Sequence, residues 1–127
     1  MLPIDRQARI RHEQAMLVYK IFRRSEWDDL VAHGRSAGAP VDLADGYVHM
    51  STPQQVVETA AKHFAGESDL VLLAIETDRL GEALKWEPSR GGQLFPHLYR
   101  DLTRADVVWD KSLPLGAAGH IFPEGVV

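Results

Sequence analysis

The run Leu70-Val71-Leu72-Leu73-Ala74-Ile75 constrains this chain more than any other feature. It has strand length and no polar face, so as a strand it must be central and covered on both sides. The rest of the chain supplies both kinds of cover. Leu17 to Phe22 is rich in β-branched and aromatic residues and reads as a first strand. Ser25, with Asp28 three positions on, resembles a capping box, Trp27, Leu30 and Val31 fall on one helical face, and Gly34 ends that helix. Gly46 to Met50 reads as a short strand. Thr52 then caps a second helix, with Pro53 at its first position and Gln55 completing the capping box. Val56, Val57, Ala60, Ala61 and Phe64 form its buried stripe, and Gly66 terminates it.

Elsewhere the signals are shorter. Arg35 to Asp45 holds two glycines and a proline and reads as a loop, as does Pro88 to Gly92. Asp78 to Ala83 reads as a turn or short helix and Leu84 to Glu87 as a short strand. A strand starts at Leu98-Tyr99, and another covers Asp106 to Asp110, with Val107 and Val108 on opposite faces. The tail from Leu113 reads as irregular. Residues 1–15 form an N-terminal extension, and 16–127 form a single α+β domain with two main helices.

The 127 residues include no cysteine, which excludes disulfides, thiolate metal sites and a cysteine nucleophile and fits a reducing compartment. No apolar run approaches the roughly 18 residues that span a bilayer, and the polar start is not a secretory signal. A cytoplasmic protein without membrane contact is expected. The formal charge of −4 disfavours nonspecific binding to long nucleic acid. Oligomeric state is not readable.

Chemistry concentrates in two segments, Tyr47-Val48-His49-Met50-Ser51-Thr52 and Phe95-Pro96-His97-Leu98-Tyr99. His49 stands where a strand feeds a helix, beside the free N–H groups and positive dipole end of the first turn. Such a place suits a phosphate or carboxylate, with a neutral imidazole ready to relay a proton. The plainer alternative is that Ser51 and Thr52 only cap the helix and His49 is a hydrogen-bonded interior histidine. His97 shares a strand face with Tyr99, and its plainer alternative is a half-buried packing histidine. Glu87 stands before a glycine-rich loop, where it can bond a ribose hydroxyl or face a developing positive charge, or is simply solvated. Lys20 alternates with apolar neighbours, and Arg90 lies in the loop where it can close over an anion. Gly-x-Gly-x-x-Gly, Walker, His-Glu-x-x-His and Gly-x-Ser-x-Gly patterns are absent. The six histidines lack i, i+3 or i, i+4 spacing, so no metal is expected.

Val18-Tyr19-Lys20-Ile21, Glu26-Trp27, Asp45 to Thr52, Gln55-Val56, Thr59-Ala60, Leu70 to Ile75 and Phe95 to Tyr99 together resemble a family of uncharacterised bacterial proteins, domain of unknown function 952. The likeness spans about Val18 to Pro114. More distantly, Tyr47 to Ser51, Glu58-Thr59-Ala60 and the apolar strand resemble the RNA 2′-phosphotransferases of the ADP-ribosyltransferase-like superfamily. That resemblance implies a compact split two-sheet β core and a cleft for NAD, with cleavage of the nicotinamide–ribose bond and transfer of ADP-ribose. In that case His49, Glu87 and His97 are the catalytic candidates. Lys20, Tyr47, His49, Ser51, Thr52, Arg90 and Tyr99 are the candidates for binding NAD as substrate. The match departs where the family's Arg-His pair faces Tyr19-Lys20 here. Two other readings stand beside it: a non-catalytic module binding a nucleotide or small anion, and a metal-assisted hydrolase built on His49, His97 and Glu87.

Overall fold

The computed structural model describes residues 16–126, and of Arg90 the backbone alone. The expected extension, 1–15, lies outside the described residues. The apolar run lies in β4 (Leu70–Glu76), the middle strand of an antiparallel sheet between β1 (Leu17–Arg23) and β8 (Val107–Leu113). Its two faces enter two cores. Val71, Leu73 and Ile75 pack with Val18, Phe22 and with Trp27 and Leu30 of α1 (Arg24–His33). Leu70, Leu72 and Ala74 pack with Tyr19, Ile21 and with Val56 and Ala60 of the later helix Pro53–His63. A strand buried on both sides is therefore covered by a helix on each side.

The sheets are several and small. β2 (Arg35–Ser36) pairs with β7 (Leu102–Thr103), and β9 (Leu115–Gly116) with β10 (Gly119–His120). A second three-stranded antiparallel sheet has the order β3 (Val48–His49), β6 (Leu94–Leu98), β5 (Leu84–Pro88). The chain after β3 joins the two larger sheets. The Met50 N–H donates to the Pro96 carbonyl (3.0 Å), and Ser51 exchanges both backbone hydrogen bonds with Tyr19 (2.7 and 2.9 Å).

Three α-helices occur among the described residues, the two main ones expected and a short third. The extra one, α2 (Pro40–Asp45), occupies the expected loop. Its punctuation was ambiguous: a proline at the first helical position and a glycine just past the end also delimit a helix. One and a half turns are too short to show a period. The helix Pro53–His63 is thus α3, and Thr52, Pro53 and Gln55 stand at its start as expected. Val57 and Ala61 lie on its exposed side, so its buried stripe is narrower than the apolar spacing suggests. Val31 is exposed for the same reason. α1 begins at Arg24 rather than beyond Ser25, because the Glu26 carboxylate accepts the Arg23 N–H (2.7 Å). The strand expected to start at Leu98-Tyr99 instead ends at Leu98, with Tyr99 just beyond it, and β8 continues to Leu113. No described helix is long and apolar enough to cross a membrane.

Candidate functional site

Strand alternation builds the site. In the second sheet Val48, Leu98 and Leu84 are opposite one another and turn to the core. The next layer in register is His49, His97 and Lys85, which therefore faces the other way. Tyr47, Phe95, Tyr99 and Glu87 belong to that same face by their spacing of two. The Tyr47 ring sits among the others, its centroid 4.6 Å from His49, 4.2 Å from His97 and 5.1 Å from Tyr99. The two imidazoles lie 5.5 Å apart. Two segments nearly fifty residues apart thus bring their histidines into one cluster.

Each histidine is anchored at Nδ1 by a carboxylate. Asp42 Oδ1 is 2.6 Å from Nδ1 of His49, and Glu87 Oε1 is 2.7 Å from Nδ1 of His97. The Tyr99 hydroxyl also donates to Glu87 Oε1 (2.8 Å), and the hydrogen bonds from His97 and Tyr99 hold the Glu87 carboxyl below its ordinary range. On its second nitrogen, Nε2, His49 meets Asp45 Oδ2 at 3.0 Å. Only the doubly protonated ring donates to both carboxylates. The Tyr47 hydroxyl is pushed up by burial and by the negative charges of Asp45, Glu87 and Asp42.

Asp42 is the centre of this arrangement. Its side chain is fully buried and meets four donors: the Ala39 N–H (2.8 Å), the His49 N–H (2.9 Å), the His49 ring (2.6 Å) and Lys20 Nζ (2.7 Å). That number of donors suits a carboxylate anion. Burial pushes its carboxyl up, and the donors from His49 and Lys20 outweigh it and hold it below the ordinary value. Lys20 also donates to the His49 carbonyl (2.9 Å), and its burial lowers its own pKa against the pull of Asp42. Gly38 makes room for Asp42: a Cβ there would stand 2.3 Å from Asp42 Oδ2. Asp42 was hidden in the sequence because it fell in the segment read as a loop. The signal available was Asp42 itself, at the third position of a short Pro-led, Gly-ended segment.

A cavity of about 670 Å³ opens beside the cluster, within the range of small-ligand pockets. Of the expected residues, Lys20, His49, Ser51 and His97 line it. Tyr47, Thr52, Glu87 and Tyr99 do not; Glu87 and Tyr99 sit behind His97, towards solvent. The side chain of Arg90 lies outside the described residues. Further lining comes from Tyr19, Ile21 and Arg23 of β1, from Thr59, His63 and Phe64 along α3, and from Pro40, Val41 and Asp45 of α2. None of these was a site candidate from the sequence.

The start of α3 is occupied by its own capping. The Thr52 N–H donates to Gln55 Oε1 (3.1 Å), the Gln55 and Val56 N–H groups donate to the Thr52 carbonyl (3.0 Å each), and Pro53 has no N–H. It is the side of the helix, at Thr59 and His63, that reaches the cavity. The Ser51 hydroxyl is 3.0 Å from that of Thr59. Among the described residues no group of three or more His, Asp or Glu side chains is arranged to hold a metal ion.

A fold of small antiparallel sheets and helices is shared with solved structures. The family described as "Protein of unknown function (DUF952)" matches residues 21–110, and the chain belongs to that family. The crystal structure of protein CC0527 from Caulobacter crescentus is 55% identical, with a TM-score of 0.79 over 82% of this chain and 91% of that one. The solution structure of CC0527 is likewise 55% identical, with a TM-score of 0.74 over 82% and 90%. No curated protein matches the chain.

Proposed function

We propose that the cavity binds a nucleotide of the NAD type and that the chain transfers ADP-ribose from it, on an ADP-ribosyltransferase-like split-sheet scaffold. One observation carries this reading: His49 and His97 line a single cavity, each fixed through Nδ1 by a carboxylate. The resemblance to the 2′-phosphotransferases puts His49 and Ser51 in the NAD cleft, and both line the cavity. The edge of β1 adds a second support. Tyr19 spends its backbone groups on Ser51, so it forms a non-hydrogen-bonded pair with Ala74. Ile21, two residues on, turns its N–H and C=O to the same open edge, beside the cavity its side chain lines. A carboxamide, such as that of nicotinamide, complements one donor and one acceptor side by side.

In the proposed reaction the bond between ribose C1′ and the nicotinamide nitrogen breaks, and the electron pair leaves with nicotinamide. An acceptor hydroxyl bonds to C1′ and gives its proton to Nε2 of His97. The tautomer required has Nδ1–H donating to Glu87, the contact seen at 2.7 Å. Ser51 holds a ribose hydroxyl, Nε2 of His49 takes an oxygen of the pyrophosphate, and Tyr19 offers a ring to the bound base. Glu87 acts through His97, and Lys20 acts by holding Asp42 and the His49 carbonyl in place. Tyr47 and Tyr99 support the two histidines from behind.

Calorimetric titration with NAD, followed by release of nicotinamide, tests the proposal. Saturable heat that a folded His49→Ala variant loses supports the site, and no heat from the wild-type protein sinks it. Replacing His97 by alanine should slow release about 10²–10⁴-fold. The alternative, a nucleotide-binding module without turnover, is favoured by the position of Glu87 outside the cavity. Binding without nicotinamide release on long incubation selects it.

A further inference from the structure

We propose that Asp45 is a built-in competitor for the ligand: its carboxylate takes the place at Nε2 of His49 that an anionic oxygen of the ligand would take. The inference deepens the reading of the cavity as an anion-bearing nucleotide site and rests on it. His49 is clasped by two carboxylates of unequal hold. Asp42 is fully buried and meets four donors, and its Oδ1 is 2.6 Å from Nδ1. Asp45 is the last residue of α2, its side chain is 45% exposed, and its contact with Nε2 is 3.0 Å. Asp45 lines the cavity and Asp42 does not. The carboxylate that gives way is therefore Asp45, and the nitrogen it uncovers is the one turned to the cavity.

The ligand class follows from this geometry. A group that displaces a carboxylate from the Nε2 position of His49 must itself be a strong acceptor carrying negative charge, a phosphate or carboxylate oxygen. Asp45 remains nearby and repels any anion that fails to engage His49, so it also sorts ligands by where their charge sits. Self-occupation lowers apparent affinity by the fraction of time the nitrogen is covered.

The test needs no turnover. Inorganic phosphate is titrated against wild-type protein, Asp45→Ala and Asp45→Asn, with the His49 ring signals followed by NMR. Asp45 is exposed, so both variants should fold. The expected result is saturable movement of the His49 signals in Asp45→Ala at roughly tenfold lower phosphate than in wild type, with Asp45→Asn between them. Equal phosphate dependence in all three, or no movement in any, overturns the proposal. A parallel NAD titration separates the two ideas. If NAD binds neither form while phosphate still discriminates, the nucleotide reading fails and the competitor role stands. If NAD binds wild type and Asp45→Ala equally and phosphate does not discriminate, the cavity reading stands and the competitor role falls.

Discussion

Lys20 Nζ lies 2.7 Å from the carboxylate of Asp42, with neither side chain more than 6% exposed, and this buried pair fixes α2 against β1. Both groups were removed from water, and each is tolerable inside only because of the other and of the hydrogen bonds around them. The pair also sets the position of His49, whose ring and backbone N–H both meet Asp42 and whose carbonyl accepts from Lys20.

Replacing Asp42 by alanine should destabilise the protein by about 3–5 kcal/mol, because Lys20 is left buried without its counter-charge. Lys20→Met combined with Asp42→Ala should cost less than the sum of the two single changes. Urea unfolding of the three variants measures this. Additive costs would mean that the two groups do not act as a pair.

Gly38→Ala should cost more than Gly46→Ala, although both positions have positive φ (108° and 88°). At Gly46 an added Cβ meets nothing within 4 Å, so only the left-handed backbone is penalised, by about 1–2 kcal/mol. At Gly38 the same methyl collides with Asp42, adding about 1–3 kcal/mol of overpacking. Equal denaturation midpoints for the two variants would refute the role given to Gly38.

Acid should weaken the fold through Asp42. Its folded pKa lies below the ordinary 3.8, so in the interval between the two the unfolded chain binds more protons. The stability it contributes is fully present above 3.8 and is lost as pH falls through the lower folded value. Asp106 behaves in the same direction: burial raises its carboxyl, and Arg100 with Thr103 outweighs that. Stability measured from pH 6 down to pH 2 should therefore fall most steeply below 3.8. Asp42→Asn and Asp106→Asn should each remove part of that slope.

Glu87→Gln should leave the fold nearly intact, within about 0.5 kcal/mol, because Glu87 is half-exposed. It should nevertheless alter His97, since the glutamine can present its amide where the carboxylate accepted. Nitrogen shifts of the His97 ring should show a changed tautomer balance at neutral pH. Unchanged shifts would mean that Glu87 does not orient the ring.

Much of this architecture was written in local signals. The apolar run of β4 announced a strand buried on both sides, and Thr52-Pro53-x-Gln55 marked the start of α3. Lys20 and His97 were picked out by strand alternation, and His49 and Ser51 by their place where a strand feeds a helix; all four line the cavity, although it meets the side of that helix and not its start. What was not legible depended on long-range placement. Asp42 and Asp45 act on His49 only because a six-residue helix folds back over it, and six residues carry too little periodicity to announce a helix. Thr59 and His63 share one side of α3, but nothing local says that side borders a cavity. Glu87 was singled out for its place before a glycine-rich loop, yet its distance from the cavity is set by the width of a sheet and by the His97 ring standing between.

The exchange of backbone hydrogen bonds between Tyr19 and Ser51 has a mechanical side. It rivets the two large sheets together at the edge of the cavity, so the walls contributed by β1 and β3 cannot part without tearing main-chain bonds. Among the described residues, α2 is tied to the body by side chains such as Asp42, not by a backbone ladder. Of these walls α2 is the one free to give: breathing that admits a guest should be felt sooner in the amides of residues 41–45 than in those of β1.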